Sequence, residues 1–596
     1  MPETGLKLFD YAMIIAYLLF TFGIAIWFGR KQESTDDFFV GGRRMPWFAV
    51  GLSILATLFS TLSYLGSPGE VVKNGLGVFA GYMAIPFAAV VILMLWVPFF
   101  MRLKLTSAYE YLELRFSYSV RLIGAALFVL LRLGWMSMVV YAASLALDRV
   151  KGPDITWLPG KDIYWWICMV GVIAAIYTSV GGIQAMIWTD VLQCLLLLAG
   201  VLLAISYVVF TDGTGPVEWF QTAGQMRADE QWRQFCAGAQ EGPVPWWQFT
   251  VNSELPIQWW RYRVNAQPGP QEWWLSAGFV RTAPAITPVF SLDLTVRVTI
   301  VTAMINYFFW NICTHGSDQV VLQRYFSVSS LKNARRSYFT NLLVDFTMAA
   351  LLALAGLALL SFYLRRQSLV PDGLSPMQAA DKLFPHFLGA QLPAGGAGLV
   401  IAAFLCDAIQ TLESGVNSIT AVVTKDLVPK LRQGGTRLLS DLSVARLLSI
   451  TITLLVTANA YFVANRNLAT GETLIGMMPQ FFNMFVGPLA AMFIIGMFLP
   501  RCTSRSVLPA VILGFFVTVF WSWGPEIAHL FGRSLPKLTF TLAIAAPCLT
   551  TIGTAALLSY IVETGKPHPG LQWTWWSVVR GRPEAAEIRS DVVEKL

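Results

Sequence analysis

The chain has 596 residues, 56% of them hydrophobic and 13% charged, with a formal net charge of +7. Soluble globular chains carry about a quarter charged residues, so this composition excludes a water-exposed enzyme or binding module as the main body. The basic residues are spread over short loops instead of forming a cluster on a polar domain. That excludes nucleic acid as a partner and fits the Lys/Arg bias of cytoplasmic loops.

Taken in chain order, apolar runs of about 20 residues recur, each able to cross a hydrocarbon core of roughly 30 Å. They are continuous, not alternating, which predicts helices and excludes a barrel. Thirteen spans are predicted, at 8–28, 46–66, 75–100, 121–147, 162–179, 183–210, 294–318, 338–364, 394–425, 441–464, 474–499, 505–524 and 538–562. No small-residue cleavage site precedes Arg30, so the first run reads as a retained helix.

Alternate loops carry the cations: Arg30, Lys31, Arg43 and Arg44; Arg102, Lys104, Arg115 and Arg121; Arg324, Lys332, Arg335 and Arg336; Lys425, Lys430, Arg432 and Arg437. This predicts a multi-pass protein of the cytoplasmic membrane with its N-terminus outside and its C-terminus inside. The longest outer segment, 211–293, holds Trp219, Trp232 and the pairs Trp246/Trp247, Trp259/Trp260 and Trp273/Trp274. A loop of this length needs structure of its own. The paired rings serve to pack a small lid, to sit at the membrane interface, or to stack on sugars. Cys236 is the one cysteine of that segment, so it holds no internal disulfide.

Two predicted spans are interrupted by small and polar residues. The first runs from Ala56 to Gly69 (ATLFSTLSYLGSPG) and the second from Asn311 to Asp318 (NICTHGSD). They are the second and seventh spans, five apart in order, an odd offset that inverts their orientation. Broken spans at matching positions of two inverted halves mark the ion and solute sites of many secondary transporters.

Five short motifs lie in order around these breaks: Pro46–Ser53 (PWFAVGLS), Thr106–Phe116 (TSAYEYLELRF), Gly181–Ala185 with Trp188–Gln193, Asp318–Arg324 (DQVVLQR), and Asn417–Ser418 with Thr424–Asp426. Together they resemble the sodium:solute symporter family, which includes sodium/glucose, sodium/proline and sodium/monocarboxylate transporters. The resemblance implies an all-α polytopic membrane protein with a LeuT-type 5+5 inverted repeat and flanking helices. Its expected parts are a first helix and loop at 1–45, repeats at 46–210 and 294–500, the Trp-rich insert between them, C-terminal spans at 501–562 and a cytoplasmic tail at 563–596. It implies sodium-coupled symport by alternating access, with Na+ as the ion, no organic cofactor, a small polar solute (sugar, polyol, monocarboxylate or similar) as partner besides the bilayer, and a functional monomer.

By the same resemblance, the sodium ion takes the carbonyls of Ala56 and Phe59 and two adjacent hydroxyls of the ninth span. Thr411 matches the second hydroxyl. Gln410 stands where the first usually is, and Asp407 and Glu413 replace small residues. Asp190 matches an aspartate of a second cation position or of ion exit. Asn311 and Gln480 match solute-binding amides, Ser63 stands in place of a glutamine, Asp345 replaces a lysine, and the gating tyrosine becomes Thr314. Leu58 and Leu62 also replace polar residues, so a glucose pocket is not expected.

From the residues themselves, Asp407, Gln410, Thr411 and Ser414 share one helix face. An ionisable group in a span is a functional candidate by default. Three readings of Asp407 stay open: a charged cation ligand, a proton carrier, or the structural partner of Arg132. Other classes are a proton-coupled transporter, a solute sensor that does not transport, and a channel. His315, His386, His529 and His568 form no HExxH pair, and no Gly-x-Ser-x-Gly elbow or P-loop occurs, so the chain does not read as an enzyme.

Overall fold

In a computed structural model of the protein the described residues are 7–29, 41–59, 61–103, 105, 107–150, 162–177, 183–223, 281–282, 285–286, 294, 297–371, 374–423, 441–470, 472–563 and 569–581. Among the described residues the architecture is helical, with one two-residue antiparallel strand pair, Arg281–Thr282 with Ala285–Ile286. Trp232 and the three tryptophan pairs of the insert lie outside the described residues, as do Cys236, Thr106, Gly181, Gly182, the Thr424–Asp426 motif and most of the tail. Trp219 is described and buried, its indole N–H donating to the Thr214 hydroxyl at 2.9 Å.

The helices that build the body are α1 (Leu8–Gly29), α2 (Trp47–Leu58), α3 (Thr61–Asn74), α4 (Gly77–Leu103), α5 (Tyr118–Val150), α6 (Asp162–Tyr177) and α7 (Ile183–Asp212). Beyond the insert come α8 (Ile300–Ser317), α9 (Gln319–Phe326), α10 (Leu331–Arg365), α11 (Ala380–Gln391), α12 (Gly396–Val422), α13 (Asp441–Thr470), α14 (Leu474–Phe498), α15 (Ser504–Leu530) and α16 (Ala545–Val562). Among the described residues ten helices are long and apolar enough to cross a membrane, or eleven if the bent pair α2/α3 is one span. The predicted thirteen includes two helices that fall short of that standard. α6 has 16 residues, and α8 is interrupted by Asn306, Asn311 and His315, which lower its hydropathy.

Both expected interruptions are present, but each is displaced within its segment. α2 ends at Phe59 and α3 leaves it at 61°. Gly66, Pro68 and Gly69 lie inside the continuous helix α3. The later break falls at Asp318, an extended residue between α8 and α9 whose own carboxylate caps the Val320 N–H at 3.0 Å. α12 is the most buried of the spans. Its start is fixed by Asp10 of α1, which accepts the N–H groups of Gly395 and Gly398 at 2.6 and 2.9 Å. Gly398 lets the two backbones meet, since a Cβ there would lie 2.5 Å from the Asp10 Cα.

Candidate ion and solute site

The break between α2 and α3 leaves helix ends at membrane depth, where no water satisfies them. The protein meets this need from α12. Asp407, 2% exposed, accepts both the main-chain N–H of Thr61 and its hydroxyl, the latter at 2.5 Å. This carboxylate therefore acts as the N-cap of α3, supplied from another helix. The carbonyls of Thr57, Leu58 and Phe59 lose their usual donors: among the described residues no N–H of Thr61, Leu62 or Ser63 returns to them.

Beside the break lies a small cavity lined by Ala56, Thr57, Asp407, Gln410, Thr411 and Ser414, with Asp190 and two arginines closing it. Its free space, about 10 Å³ for the centre of a water-sized sphere, suits one water or one bare cation. Five of the six residues predicted for the cation line it, and Phe59 stands at the break next to it. Gln410 is buried with neither amide atom hydrogen-bonded in the protein. A hydroxyl, an amide oxygen, a carboxylate and freed carbonyls form an all-oxygen set, the kind a hard cation takes.

Two buried arginines border the cavity, and each is already paired. Arg132 of α5 is bound to Asp318 at the second break. Arg324 of α9 donates to Asp190 at 3.1 Å and to the Ser53 hydroxyl at 2.7 Å, while Ser53 donates to Asp190 at 2.5 Å. The reading of Asp407 as the partner of Arg132 is thereby overturned: the local aspartate at the break takes the guanidinium. Asp190 is not a helix-start carboxylate either. It lies two turns inside α7, held by a buried cation. Glu413, also buried, keeps one carboxylate oxygen without a partner.

The residues expected to bind solute do not all converge. Asn311 donates to the Tyr307 carbonyl at 3.0 Å, and the Tyr307 hydroxyl donates to Asp345 at 2.9 Å, so these two positions form one polar patch with Tyr82, which donates to Asp345 at 3.2 Å. Thr314 is buried, its hydroxyl turned back onto the Trp310 carbonyl at 2.7 Å. The aromatic group at this level is Trp310 itself, stacked on Trp135 at 5.7 Å. Ser63 sits half-buried in the first turn of α3. Gln480 departs from the expected arrangement: it lies in a π-helical turn, Pro479–Asn483, that aims it at Glu526 (3.1 Å) and Arg466 (3.4 Å) on α15 and α13.

Sequence reasoning missed Thr61, Ser53, Tyr82 and Tyr307. Thr and Ser in a span usually bond to their own helix, as Thr57 does to the Ser53 carbonyl at 2.8 Å, so nothing local marks Thr61 or Ser53 as partners of a distant carboxylate. The tyrosines carried a weak signal, since a buried phenol needs an acceptor.

Comparison with known proteins gives the family. The sequence model of the sodium:solute symporter family matches residues 38–514. The chain is 27% identical over 550 residues to the sodium/sialic acid symporter SiaT of Proteus mirabilis (strain HI4320), covering 90% of this chain and 95% of that one. It is 28% identical over 548 residues to the human sodium/iodide cotransporter (91% and 73% covered), and 28% identical over 539 residues to the human sodium-coupled monocarboxylate transporter 1 (88% and 75%). A solved substrate-bound, outward-open Na+-coupled sialic acid symporter with a novel Na+ site superposes with a TM-score of 0.70 at 25% identity, covering 94% of this chain and 99% of that one. The relatives are transporters, not enzymes. With its helical fold, its broken span and its oxygen-lined cavity, the chain belongs to the sodium:solute symporter family, whose work is sodium-coupled symport by alternating access.

Proposed function

We propose that sodium binds in the cavity at the α2/α3 break and that a small, polar, uncharged solute binds beside it, on the patch of Asn311, Tyr307 and Asp345. One observation carries the reading: residues of α2, α7 and α12 that the resemblance assigns to cations border one cavity of ion size. Ala56 and Phe59 supply carbonyls, Thr411 a hydroxyl and Gln410 its amide oxygen. Asp407 adds charge and holds the broken helix in place. Asp190 borders the same cavity and stands as its second, exit-side carboxylate. Sodium, by preferring the solute-competent state by a few kcal/mol, shifts the population towards it.

An uncharged solute is favoured over an anion by the pairing of charges. Arg132 and Arg324 are both taken by aspartates, while Asp345 faces the patch on tyrosine hydroxyls alone. A sugar or polyol suits such a patch better than a carboxylate does. The protein works as a monomer in the cytoplasmic membrane, N-terminus outside and C-terminus inside, with inverted repeats at 46–210 and 294–500.

The test is uptake into proteoliposomes of a panel of labelled sugars, polyols and monocarboxylates under an inward sodium gradient. Thr411→Ala raises the sodium concentration needed for half-maximal uptake. An unchanged sodium dependence removes the ion-site assignment. Uptake driven by a proton gradient alone replaces sodium with protons, and binding without accumulation makes the protein a sensor. Accumulation of monocarboxylates alone overturns the solute class.

A further inference from the structure

A groove of about 730 Å³ opens where α2, α4 and the start of α10 meet, away from the ion cavity. Its walls are Trp47, Leu93 and, along one stripe of α10, Lys332, Arg335, Arg336 and Phe339. Those four positions are spaced i, i+3, i+4, i+7, so they share a helix face. The same face continues through Leu343 and Phe346, which are 56% and 51% exposed. Cations thus crowd one end of the stripe and apolar side chains run from it for two to three turns, about 15 Å at 1.5 Å per residue.

The cationic end is built as a site. Arg335 is anchored by a bond from its Nε to the Leu93 carbonyl at 3.2 Å. Leu93 lies in a π-helical turn, Ile92–Trp96, a distortion that frequently marks function. Arg336 lies over the Trp47 ring at 5.8 Å. Among the described residues no carboxylate pairs with Lys332, Arg335 or Arg336. The floor is rigid. The Ser337 hydroxyl donates to the Trp47 carbonyl at 2.8 Å, and a Cβ on Gly51 would lie 2.6 Å from the Ser337 carbonyl.

We infer that this groove binds one anionic phospholipid of the cytoplasmic leaflet, its phosphate on Lys332, Arg335 and Arg336 and an acyl chain along Phe339, Leu343 and Phe346. Three cations with no carboxylate partner among the described residues, above an apolar track, match that molecule at both ends, as basic pockets between spans do for anionic headgroups. A free phosphate would use the cations and leave the track idle. The lipid sits on α2, nine residues from Ala56 along the same helix, and so braces the inner half of the broken span against α10.

The experiment uses the purified full chain in detergent, with phosphatidylglycerol or phosphatidylcholine added at equal mole fraction and the melting temperature recorded. Phosphatidylglycerol raises it and phosphatidylcholine does not. Lys332→Gln/Arg335→Gln abolishes the rise, whereas Arg501→Gln/Arg505→Gln, which removes the same charge from another exposed interface, retains it. Lys332→Arg/Arg335→Lys retains it as well. Should the neutral pair not fold, Arg336→Gln is read by native mass spectrometry, with loss of the retained phosphatidylglycerol expected. An equal rise in Lys332→Gln/Arg335→Gln overturns the inference, as does equal loss in both neutral pairs. The same rise with inorganic phosphate at constant ionic strength also overturns it.

Discussion

Asp407 and Thr61 stand 346 residues apart in sequence, yet one carboxylate oxygen of Asp407 takes both donors of Thr61. The bond joins the second half of the broken span to α12, the helix that also carries Gln410 and Thr411. Any movement of α3 against α12 in the transport cycle must break this bond or carry the proposed ion-site residues with it.

Charge and capping at this position can be separated. Asp407→Asn keeps an acceptor for the Thr61 N–H but removes the charge. Asp407→Ala removes both and leaves a buried N–H unmet, at about 1–3 kcal/mol. We expect the alanine variant to melt well below the asparagine variant in potassium, and both to lose the stabilisation that sodium gives the parent protein. Thermal unfolding in sodium, potassium and choline at constant ionic strength reads both effects. Equal melting of the two variants in potassium would show that the cap is not needed.

The pair Arg132–Asp318 joins α5 to the second break, and both partners are almost fully buried. Removing one leaves the other charged and uncompensated, at about 3–5 kcal/mol, whereas removing both with apolar groups of similar size is often near neutral. Arg132→Met and Asp318→Leu should each lower stability strongly, and the double variant should recover much of the loss. A double-mutant cycle on chemical unfolding checks this. Additive losses would contradict the pairing.

Asp381, on the short helix α11 outside the spans, has its carboxyl pushed up to about 7. Burial is the main cause, the Leu474 N–H partly offsets it, and the nearby Glu70 carboxylate adds to it. The folded protein thus holds a proton there that the unfolded chain releases near pH 4. Stability from this group is complete below that pH and falls as the pH rises towards 7. Melting curves of the parent protein and Asp381→Asn between pH 4.5 and 8 should therefore diverge, the variant gaining at the upper end. Parallel curves would refute it.

Hydropathy placed the helices well because the need to bury about 20 apolar residues is local and additive along the chain. The break in the first interrupted span was legible only to within a few residues. Gly66, Pro68 and Gly69 are the strongest breakers in sequence, yet the helix yields at Phe59, where a carboxylate from α12 competes for the Thr61 N–H. Gln480 escaped for a related reason: a π-helical turn rotates it by a fraction of a turn, and no residue type announces that rotation. Asp407, Gln410 and Thr411 were legible together because helical spacing alone sets their common face. The Thr61 partner of Asp407 on α3 was not, since such pairing is decided by packing between segments hundreds of residues apart.

The two breaks in the bundle are finished differently, and this bears on how the protein is made. Asp318 caps its own helix and is available as soon as it is synthesised. The start of α3 must wait for a residue 346 positions later, roughly 20–70 s at 5–20 residues per second. Through that interval the N–H of Thr61 has no intended acceptor, and lipid offers none. The first broken span therefore enters the bilayer unfinished, and the arrival of α12 is the step that seals the N-terminal half of the transporter.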